Sequence, residues 1–461
     1  MKPPAGTDVN MNTPNRRYWL QSGFLSLMIN FQNLIFGFGS FYFLVRELDK
    51  HQYGIWSLFI ATTTIFDSAR SGMVQNALIK YLSDHSKKEH PAIITASFYL
   101  SGGLMLVCMI LNICIAGYLA HIWHDQGLVH MFYLFNIVYL LQGLLYQFQW
   151  IEQANLSFKG VLISSMIRQG GFFTYVILAY FLRWPLTLIS FIWVQAGCAF
   201  VAMLIQYLFV SNDLTFEKKV DLAWVKKLFN YGKYVFGTNI SGILTGSINQ
   251  MMLGAIVSAD TAGAFNVAVR ITTLTEVPTN ALGTVVFPQS AKRFATGGQQ
   301  AIKYLYEKSV GTLLAILIPS LALLFIFPDF TVRFIAGNRY PETIPVIRVT
   351  VLYCLLTPFS RLFGTIMDSI GKPRINFIII LLFTALELFL TWILIEDFGM
   401  MGAVYASLIA CLIFFIIIQA ILNKQLKINF LNTFVYAIQF YPEFYRVYVR
   451  PRISKKMQRS L

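Results

Sequence analysis

The residues most able to do chemistry in this sequence are arginines that lie within long apolar stretches. Arg270 lies in the stretch 259–293, together with Glu276 and Pro278. A charged side chain at the centre of a membrane helix costs roughly 2.5–3.5 kcal/mol, so it is tolerated where it faces a polar cavity or a partner. The planar guanidinium group binds phosphate oxygens through two parallel hydrogen bonds. We therefore predict that this stretch lines a polar path through a membrane and that Arg270 binds an anion.

Other ionisable residues lie in comparable apolar surroundings. Asp67 and Arg70 are three residues apart on one helical face, so they can form an ion pair. Arg168 and Arg270 have no carboxylate at helical spacing. Two interpretations stay open for each residue, namely a structural ion pair or a site for a transported anion. The candidate cations are Arg270, Arg168, Arg70 and Arg361, and the candidate coupling or ion-pair carboxylates are Asp67, Glu276 and Glu387.

Uncharged polar residues also interrupt the apolar segments. Hydrogen bonds between neighbouring helices would account for some of them. A hydrated cavity accounts better for the whole set, and it would suit a ligand rich in hydroxyl groups. The candidate cavity-lining residues are Asn33, Asn239, Asn249 and Gln250.

The sequence lacks the motifs of several other kinds of chemistry. It has no G-x-x-x-x-G-K-[ST] motif for ATP, and no loop is long enough for a catalytic domain. The five cysteines lie in apolar runs without C-x-x-C spacing. His121 and His124 do not complete a zinc-binding pattern. We therefore expect a transporter rather than an enzyme, with no cofactor and no bound metal ion.

The composition indicates the elements that position these residues. The chain has 461 residues, of which 56% are hydrophobic and only 12% are charged, whereas soluble domains carry about 25% charged residues. We therefore predict an all-α polytopic membrane protein with about 12 transmembrane helices, each containing about 20 apolar residues. The predicted spans lie near 18–45, 54–79, 91–118, 127–151, 158–182, 185–210, 232–258, 262–291, 304–327, 343–368, 374–396 and 400–422.

The 36 Lys and Arg residues are distributed unevenly between the two sides of these spans. Most lie in the two terminal tails and in the loops that follow even-numbered helices. Positive loops mark the cytoplasmic side, so both termini are predicted to be cytoplasmic. This one-sided pattern also argues against nucleic acid as a partner, although the net charge is +15. The cations on the opposite face are Arg46, Lys50, Arg183, Arg333 and Arg339.

The predicted domain organisation follows from the spans and from a weak internal repeat. Superposing Gly54 on Gly263 places Asp67 opposite Glu276, which favours two six-helix lobes around a central cavity. The predicted segments are a cytoplasmic N-terminal tail (1–17), an N-lobe of helices 1–6 (18–210), a cytoplasmic linker with a short interfacial helix (211–231), a C-lobe of helices 7–12 (232–422) and a basic amphipathic cytoplasmic tail (423–461).

The C-terminal tail mixes aromatic residues with Arg and Lys, so we expect it to lie on anionic lipids of the inner leaflet. Docking of a partner enzyme on the tail stays open.

Two stretches carry a resemblance to a known family. The first is Tyr53-Gly54, followed by Asp67 and by Gly72 to Tyr81, and the second contains Asp260, Gly263, Ala264, Phe265, Val267, Ala268, Arg270, Pro278, Leu282 and Pro288. On these residues the chain resembles the polysaccharide-exporter branch of the multidrug/oligosaccharidyl-lipid/polysaccharide (MOP) exporter superfamily. These proteins are flippases for undecaprenyl-diphosphate-linked O-antigen, capsule or exopolysaccharide units in the bacterial inner membrane.

The resemblance implies alternating access through a cationic central cavity. Arg270, with Arg70, Arg168 and Arg361, would engage the diphosphate of the lipid-linked oligosaccharide. The three carboxylates would form ion pairs with the arginines when substrate is absent, or carry a coupling proton. A partner enzyme docked on the tail would be a glycan polymerase or another assembly enzyme.

Other transporters and enzymes fit these residues less well. A multidrug-type cation antiporter of the same superfamily would need carboxylates and aromatic residues in its cavity, so the four arginines argue against it. A lipid-II-type flippase carries a similar head group but usually has extra helices. A membrane glycosyltransferase or polymerase would need a large outer loop, and a membrane scaffold would not need buried arginines.

Overall fold

The structure is a computed structural model, and it describes residues 16–155, 157–444 and 446. Within this part of the chain there are helices and no strands, as predicted. The helices are α1 (Arg16–Glu47), α2 (Lys50–Asp84), α3 (His90–Ile122), α4 (Gly127–Ala154), α5 (Lys159–Ser165), α6 (Gly171–Leu182), α7 (Leu188–Val210), α8 (Leu222–Ile256), α9 (Ala259–Thr273), α10 (Val277–Ile326), α11 (Pro328–Ala336), α12 (Thr343–Cys354), α13 (Thr357–Ser369), α14 (Pro373–Phe398), α15 (Met400–Leu426) and α16 (Phe430–Phe444).

Among the described residues, eight helices are long and apolar enough to cross a membrane. A ninth span forms if α12 and α13, which are bent by 41° at their junction, are taken together. The bend precedes Pro358, which lacks the N–H that a continuous helix would use. The protein is therefore an all-α, multi-pass membrane protein. The eight spans are Met28–Glu47, His90–Ile122, Gly127–Ala154, Lys159–Leu182, Leu188–Val210, Gly298–Ile326, Arg374–Phe398 and Met400–Leu426.

Three further predicted spans are helical but less apolar. They correspond to α2, α8 and the stretch from α9 into the first half of α10. These helices carry many of the candidate polar residues, including Arg70, Asn249 and Arg270. Such polar residues indicate that one face of each helix does not face lipid.

The stretch 259–293 is divided by local breaks. A 3₁₀ turn, Leu274–Glu276, separates α9 from α10, and Pro278 lies in the first turn of α10, where its missing N–H costs nothing. Further on, Gly298 interrupts α10 with φ 58° and ψ −147°. That backbone conformation favours glycine, and it separates the eighth predicted span from the ninth.

The predicted linker helix is not a separate element. The segment from Leu222 onward forms the first turns of α8, which continues unbroken to Ile256. Trp224 and Leu228 are buried, and the Trp224 ring lies edge-on to Tyr81 and His85. Trp224 therefore packs against the end of α2, and this buried contact lies within the segment that was predicted to be a linker.

The chain forms two compact units. The first contains the described residues up to Phe43, Arg70–Asn112 and Tyr133–Lys233, and the second contains Leu44–Ala69, Ile113–Phe132 and the described residues from Tyr234 onward. Segments 44–69 and 113–132 were assigned to the N-lobe from sequence, and they cluster with the second unit. The lobe boundaries stay predictions, and each unit is described below by itself.

The first part of the predicted tail is a docked helix. The buried Glu307 of α10 accepts hydrogen bonds from the Asn429 N–H (3.0 Å) and the Asn432 amide (3.1 Å) at the start of α16. A Cβ at Gly311 would lie 2.7 Å from the Thr433 carbonyl oxygen, so glycine permits the close approach of the two helices. The basic residues predicted to bind lipid, from Arg450 onward, lie outside the described residues.

Candidate functional site

In the first unit, Arg70 is buried among polar and aromatic side chains. It is only 2% exposed, and its Nη1 donates to the Ser101 hydroxyl at 3.4 Å. Its guanidinium carbon lies 5.8 Å from the Tyr146 ring centre and 5.6 Å from that of Trp150. Both distances fall within the range of a cation–π interaction. Arg70 thus lies against the aromatic face of α4.

Arg168 lies near the same aromatic ring. It lies in a π-helical turn, Met166–Gly170, between α5 and α6. Its guanidinium carbon is 5.6 Å from the Tyr146 ring centre, and its buried Nε has no hydrogen-bond partner in the described part of the chain. Because π-turns inside helices are frequent at functional sites, this turn is a notable place for a half-buried cation. Two of the four predicted arginines therefore meet around one phenol ring.

The aromatic residues of this cluster were not among the predicted site residues. Tyr146 and Trp150 are four residues apart on α4, and their rings stack at 6.4 Å with an interplanar angle of 12°. Aromatic residues at helical spacing in an apolar segment usually face the core or lipid, so the sequence did not single them out. A Cβ at Gly143, one turn earlier, would lie 2.7 Å from Met105 Sδ and 3.9 Å from Arg70 Nη1. The sequence therefore carried one signal of this cluster, namely a glycine followed at helical spacing by two aromatic residues on α4.

Polar amides lie beside this cluster. Asn33 is exposed, as a cavity-lining residue would be, and its Oδ1 accepts a hydrogen bond from Gln169 Nε2 at 2.6 Å. Gln169 directly follows Arg168. The neighbouring Gln32 is buried, and both of its amide atoms lack a partner within the described residues. The first unit thus combines two cations with amide groups of the kind that bind sugar hydroxyls.

In the second unit, the remaining predicted cations are exposed. Arg270 lies in the last turn of α9. Arg361 is 64% exposed, and its Nη2 lies 3.7 Å from Glu276 Oε2, whose side chain is 34% exposed. Exposed pairs of this kind contribute little stability, so the Glu276 carboxylate can be exchanged for another anion at low cost. Asp67 lies half-buried on α2.

Glu387 is placed very differently from Glu276. It is 3% exposed on α14, and its Oε1 accepts from Asn249 Nδ2 at 3.0 Å and from the Ser407 hydroxyl at 2.7 Å. Thr391 donates to Asn249 Oδ1 at 2.7 Å. Oε2 is also buried and has no partner among the described residues. A buried carboxylate oxygen left unsatisfied is costly, so this atom is placed to hold a proton or a cation.

The other predicted polar residues have different surroundings. Gln250 is buried, donates to the Ser57 hydroxyl at 2.8 Å and accepts from Asn266 at 2.8 Å. Tyr53 extends this network by donating to Asn266 Oδ1 at 2.7 Å. The side chain of Asn239 lies outside those described. The cavity-lining role of the polar residues stays a prediction.

The two glycines aligned as repeat equivalents contact each other in the second unit. A Cβ at Gly54 would lie 2.0 Å from the Ala259 carbonyl oxygen, and one at Gly263 would lie 2.9 Å from the Gly54 Cα. A salt bridge from Lys50 to Glu342 (2.7 Å) and a contact from His51 to Asp260 (3.1 Å) lie near the same end of α2. The start of α2 is thus held closely against α9.

Solved structures show which fold this chain adopts. The chain superposes on an inward-closed structure of the lipid II flippase MurJ with a TM-score of 0.72 and 13% identity, over 93% of this chain and 92% of the other. An inward-facing multidrug resistance MATE family transporter of the MOP superfamily gives a TM-score of 0.70 and 13% identity, over 91% and 96%. The fold is that of the MOP-superfamily transporters.

Sequence comparison then identifies the family. A sequence profile described as polysaccharide biosynthesis protein matches residues 19–294, which is more than half of the chain, and the protein belongs to that family.

Two curated relatives are similar to this chain. The lipopolysaccharide biosynthesis protein WzxC of Escherichia coli is 21% identical over 72% of this chain and 66% of its own length. The probable low-salt glycan biosynthesis flippase Agl15 of Haloferax volcanii is 23% identical over 49% of this chain and 46% of its own. The chain spans about half to two thirds of the length of these relatives.

Proposed function

We propose that this protein is a flippase that moves a lipid-linked oligosaccharide from the cytoplasmic to the outer leaflet by alternating access. The observation that carries this proposal is the convergence of Arg70 and Arg168 on Tyr146 within a membrane-spanning unit. Guanidinium groups favour an anionic ligand such as a phosphate, and the names of the two relatives, a probable glycan biosynthesis flippase and a lipopolysaccharide biosynthesis protein, support a lipid-linked glycan. The substrate class is an undecaprenyl-diphosphate-linked repeat unit of O-antigen, capsule or exopolysaccharide.

In this proposal the four arginines bind the substrate as two pairs. Arg70 and Arg168 bind the two phosphoryl groups through charge-assisted hydrogen bonds. Arg270 and Arg361, which are exposed on the second unit, also bind the diphosphate in this proposal. The glycan passes through the hydrated cavity near Asn33 and Gln169, while the polyprenyl tail stays in lipid.

The carboxylates have two roles. Glu276 forms an ion pair with Arg361 when substrate is absent, and the diphosphate replaces the Glu276 carboxylate when substrate binds. Asp67 is a second carboxylate of this kind, on α2. Glu387 carries the coupling proton on Oε2, which has no hydrogen-bond partner among the described residues. A charge that crosses the membrane field gains about 2.3 kcal/mol per 100 mV, which is enough to bias the cycle.

The membrane setting follows from the charge pattern. We propose a location in the bacterial inner membrane with both termini in the cytoplasm, because Lys and Arg are concentrated on that side. Six apolar side chains of α16 are exposed next to the Gly298–Ile326 span, and they support contact between the tail and anionic lipids of the inner leaflet. These side chains are Phe430, Leu431, Phe434, Val435, Ile438 and Tyr441.

Purified protein in liposomes tests the proposed function. We expect a fluorescent lipid-diphosphate oligosaccharide, added on one side, to appear in the opposite leaflet at a rate far above that of protein-free liposomes. The Arg270→Ala variant should lose most of this movement. The alternative is a multidrug-type antiporter. The fold alone does not distinguish a flippase from such an antiporter, because a structure of each kind gives a similar TM-score. Efflux of cationic dyes under an ion gradient, without oligosaccharide movement, would overturn the proposal.

A further inference from the structure

We infer that Tyr146 positions the two arginines of the first unit as a single binding group for a diphosphate. This inference rests on the proposed function and assigns a role to a residue outside the predicted site. The guanidinium carbons of Arg70 and Arg168 lie 5.8 Å and 5.6 Å from the Tyr146 ring centre. The two cations are therefore no farther apart than the sum of those distances, with one ring serving both.

Two like charges that both lie beside one ring repel each other in a medium of low dielectric constant. The face of an aromatic ring carries negative potential, and it attracts a guanidinium group within about 6 Å of the ring centre. Tyr146 therefore lowers the free energy of the paired arrangement before any ligand arrives. A ligand with two linked phosphoryl groups removes the remaining repulsion by binding both cations at once.

The ring is held in a fixed orientation. It stacks on Trp150, which is 3% exposed and also lies 5.6 Å from the Arg70 guanidinium carbon. Gly143, one turn earlier on α4, lies beside Arg70, and its missing side chain leaves room for Met105. Groups held in place before binding lose less conformational entropy when the ligand arrives. The α4 face formed by Gly143, Tyr146 and Trp150 thus fixes the site for one ligand geometry.

The π-turn supplies the second cation with a donor available for ligand. Arg168 Nε is buried and has no partner within the described residues. A buried N–H of this kind is satisfied when a phosphate oxygen accepts its hydrogen bond. Tyr146 thus acts as a positioning residue, while the two arginines contact the ligand.

Binding of a fluorescent polyprenyl-diphosphate sugar to the full-length protein in nanodiscs tests this inference. We expect Tyr146→Leu to raise Kd about 10-fold, because the leucine lacks a ring face for either cation. Tyr146→Phe keeps that face and should stay within about 3-fold of wild type. Tyr133→Leu, an exposed residue on the same helix, is the matched control and should leave Kd unchanged.

A double-mutant cycle separates positioning from general damage. In the Arg168→Ala background, Tyr146→Leu should cost less than it does in wild type, because one of the two cations that it serves is absent. If Tyr146→Leu binds as tightly as wild type, or if Tyr146→Phe is as weak as Tyr146→Leu, the inference is wrong while the proposed function stands. If wild type does not bind the probe, both the proposed function and this inference are overturned.

Discussion

Replacing both Arg70 and Arg168 with alanine is expected to slow transport of the lipid-diphosphate oligosaccharide by at least about 100-fold. Each hydrogen-bonded contact to a charged group contributes about 1.5–3 kcal/mol. The loss of two such contacts therefore weakens substrate binding by at least about 100-fold. Each single alanine variant should lose less. The measurement is the initial rate of appearance of the substrate in the opposite leaflet of liposomes.

Two further variants show whether the guanidinium geometry matters or only the charge. Lysine at both positions keeps the charge but loses the planar fork, so an intermediate rate is expected. Arg333→Ala removes an exposed arginine of α11 that pairs with Asp329 at 3.0 Å, and it should transport at the wild-type rate. Wild-type transport by the double alanine variant would remove the first unit from the binding site.

Replacing Glu387 with glutamine is expected to abolish the dependence of transport on a proton gradient. Glutamine keeps an oxygen that can accept from Asn249 and Ser407, as Glu387 Oε1 does. It cannot release a proton at the position of Oε2. We expect the transport rate under an imposed gradient to fall to the rate without one, at least about 10-fold, because the driving force of about 2.3 kcal/mol per 100 mV is lost.

Glu152 provides a matched control for this prediction. It is also a buried carboxylate, but it lies in the first unit, and both of its oxygens accept hydrogen bonds, from Ser157, the Gly160 N–H and Gln206. Glu152→Gln should therefore lower Tm by weakening this network and leave the gradient dependence unchanged. A proton-gradient response in Glu387→Gln equal to that of wild type would contradict the coupling role.

The helical architecture was predictable from the sequence because a run of about 20 apolar residues leaves few alternatives in a membrane. Every predicted span contains helix. The continuation of the linker into α8 was missed because its lysine pairs resemble a surface segment, whereas Trp224 and Leu228 are buried. The docking of α16 depends on Glu307 and Gly311, which are remote in sequence from the helix they hold.

The candidate site was predictable as a set of residue types but not as a set of contacts. The cost of burying charge singled out Arg70, Arg168 and Glu387. Their partners come from other helices, and no local pattern specifies them. Tyr146 serves arginines from α2 and from the π-turn, and a π-turn has no reliable sequence signature. The pairing of Glu276 with Arg361 likewise depends on how α13 packs against its neighbours.

The most direct test compares the affinity of the purified protein for a lipid with two phosphoryl groups and for a lipid with one. Equilibrium binding would be measured in nanodiscs with a polyprenyl-diphosphate sugar and with the corresponding polyprenyl-monophosphate sugar. We expect wild type to bind the diphosphate at least about 10-fold more tightly, and we expect this preference to disappear when Arg70 and Arg168 are both alanine. Equal affinity of wild type for the two lipids would contradict a site built to recognise a diphosphate.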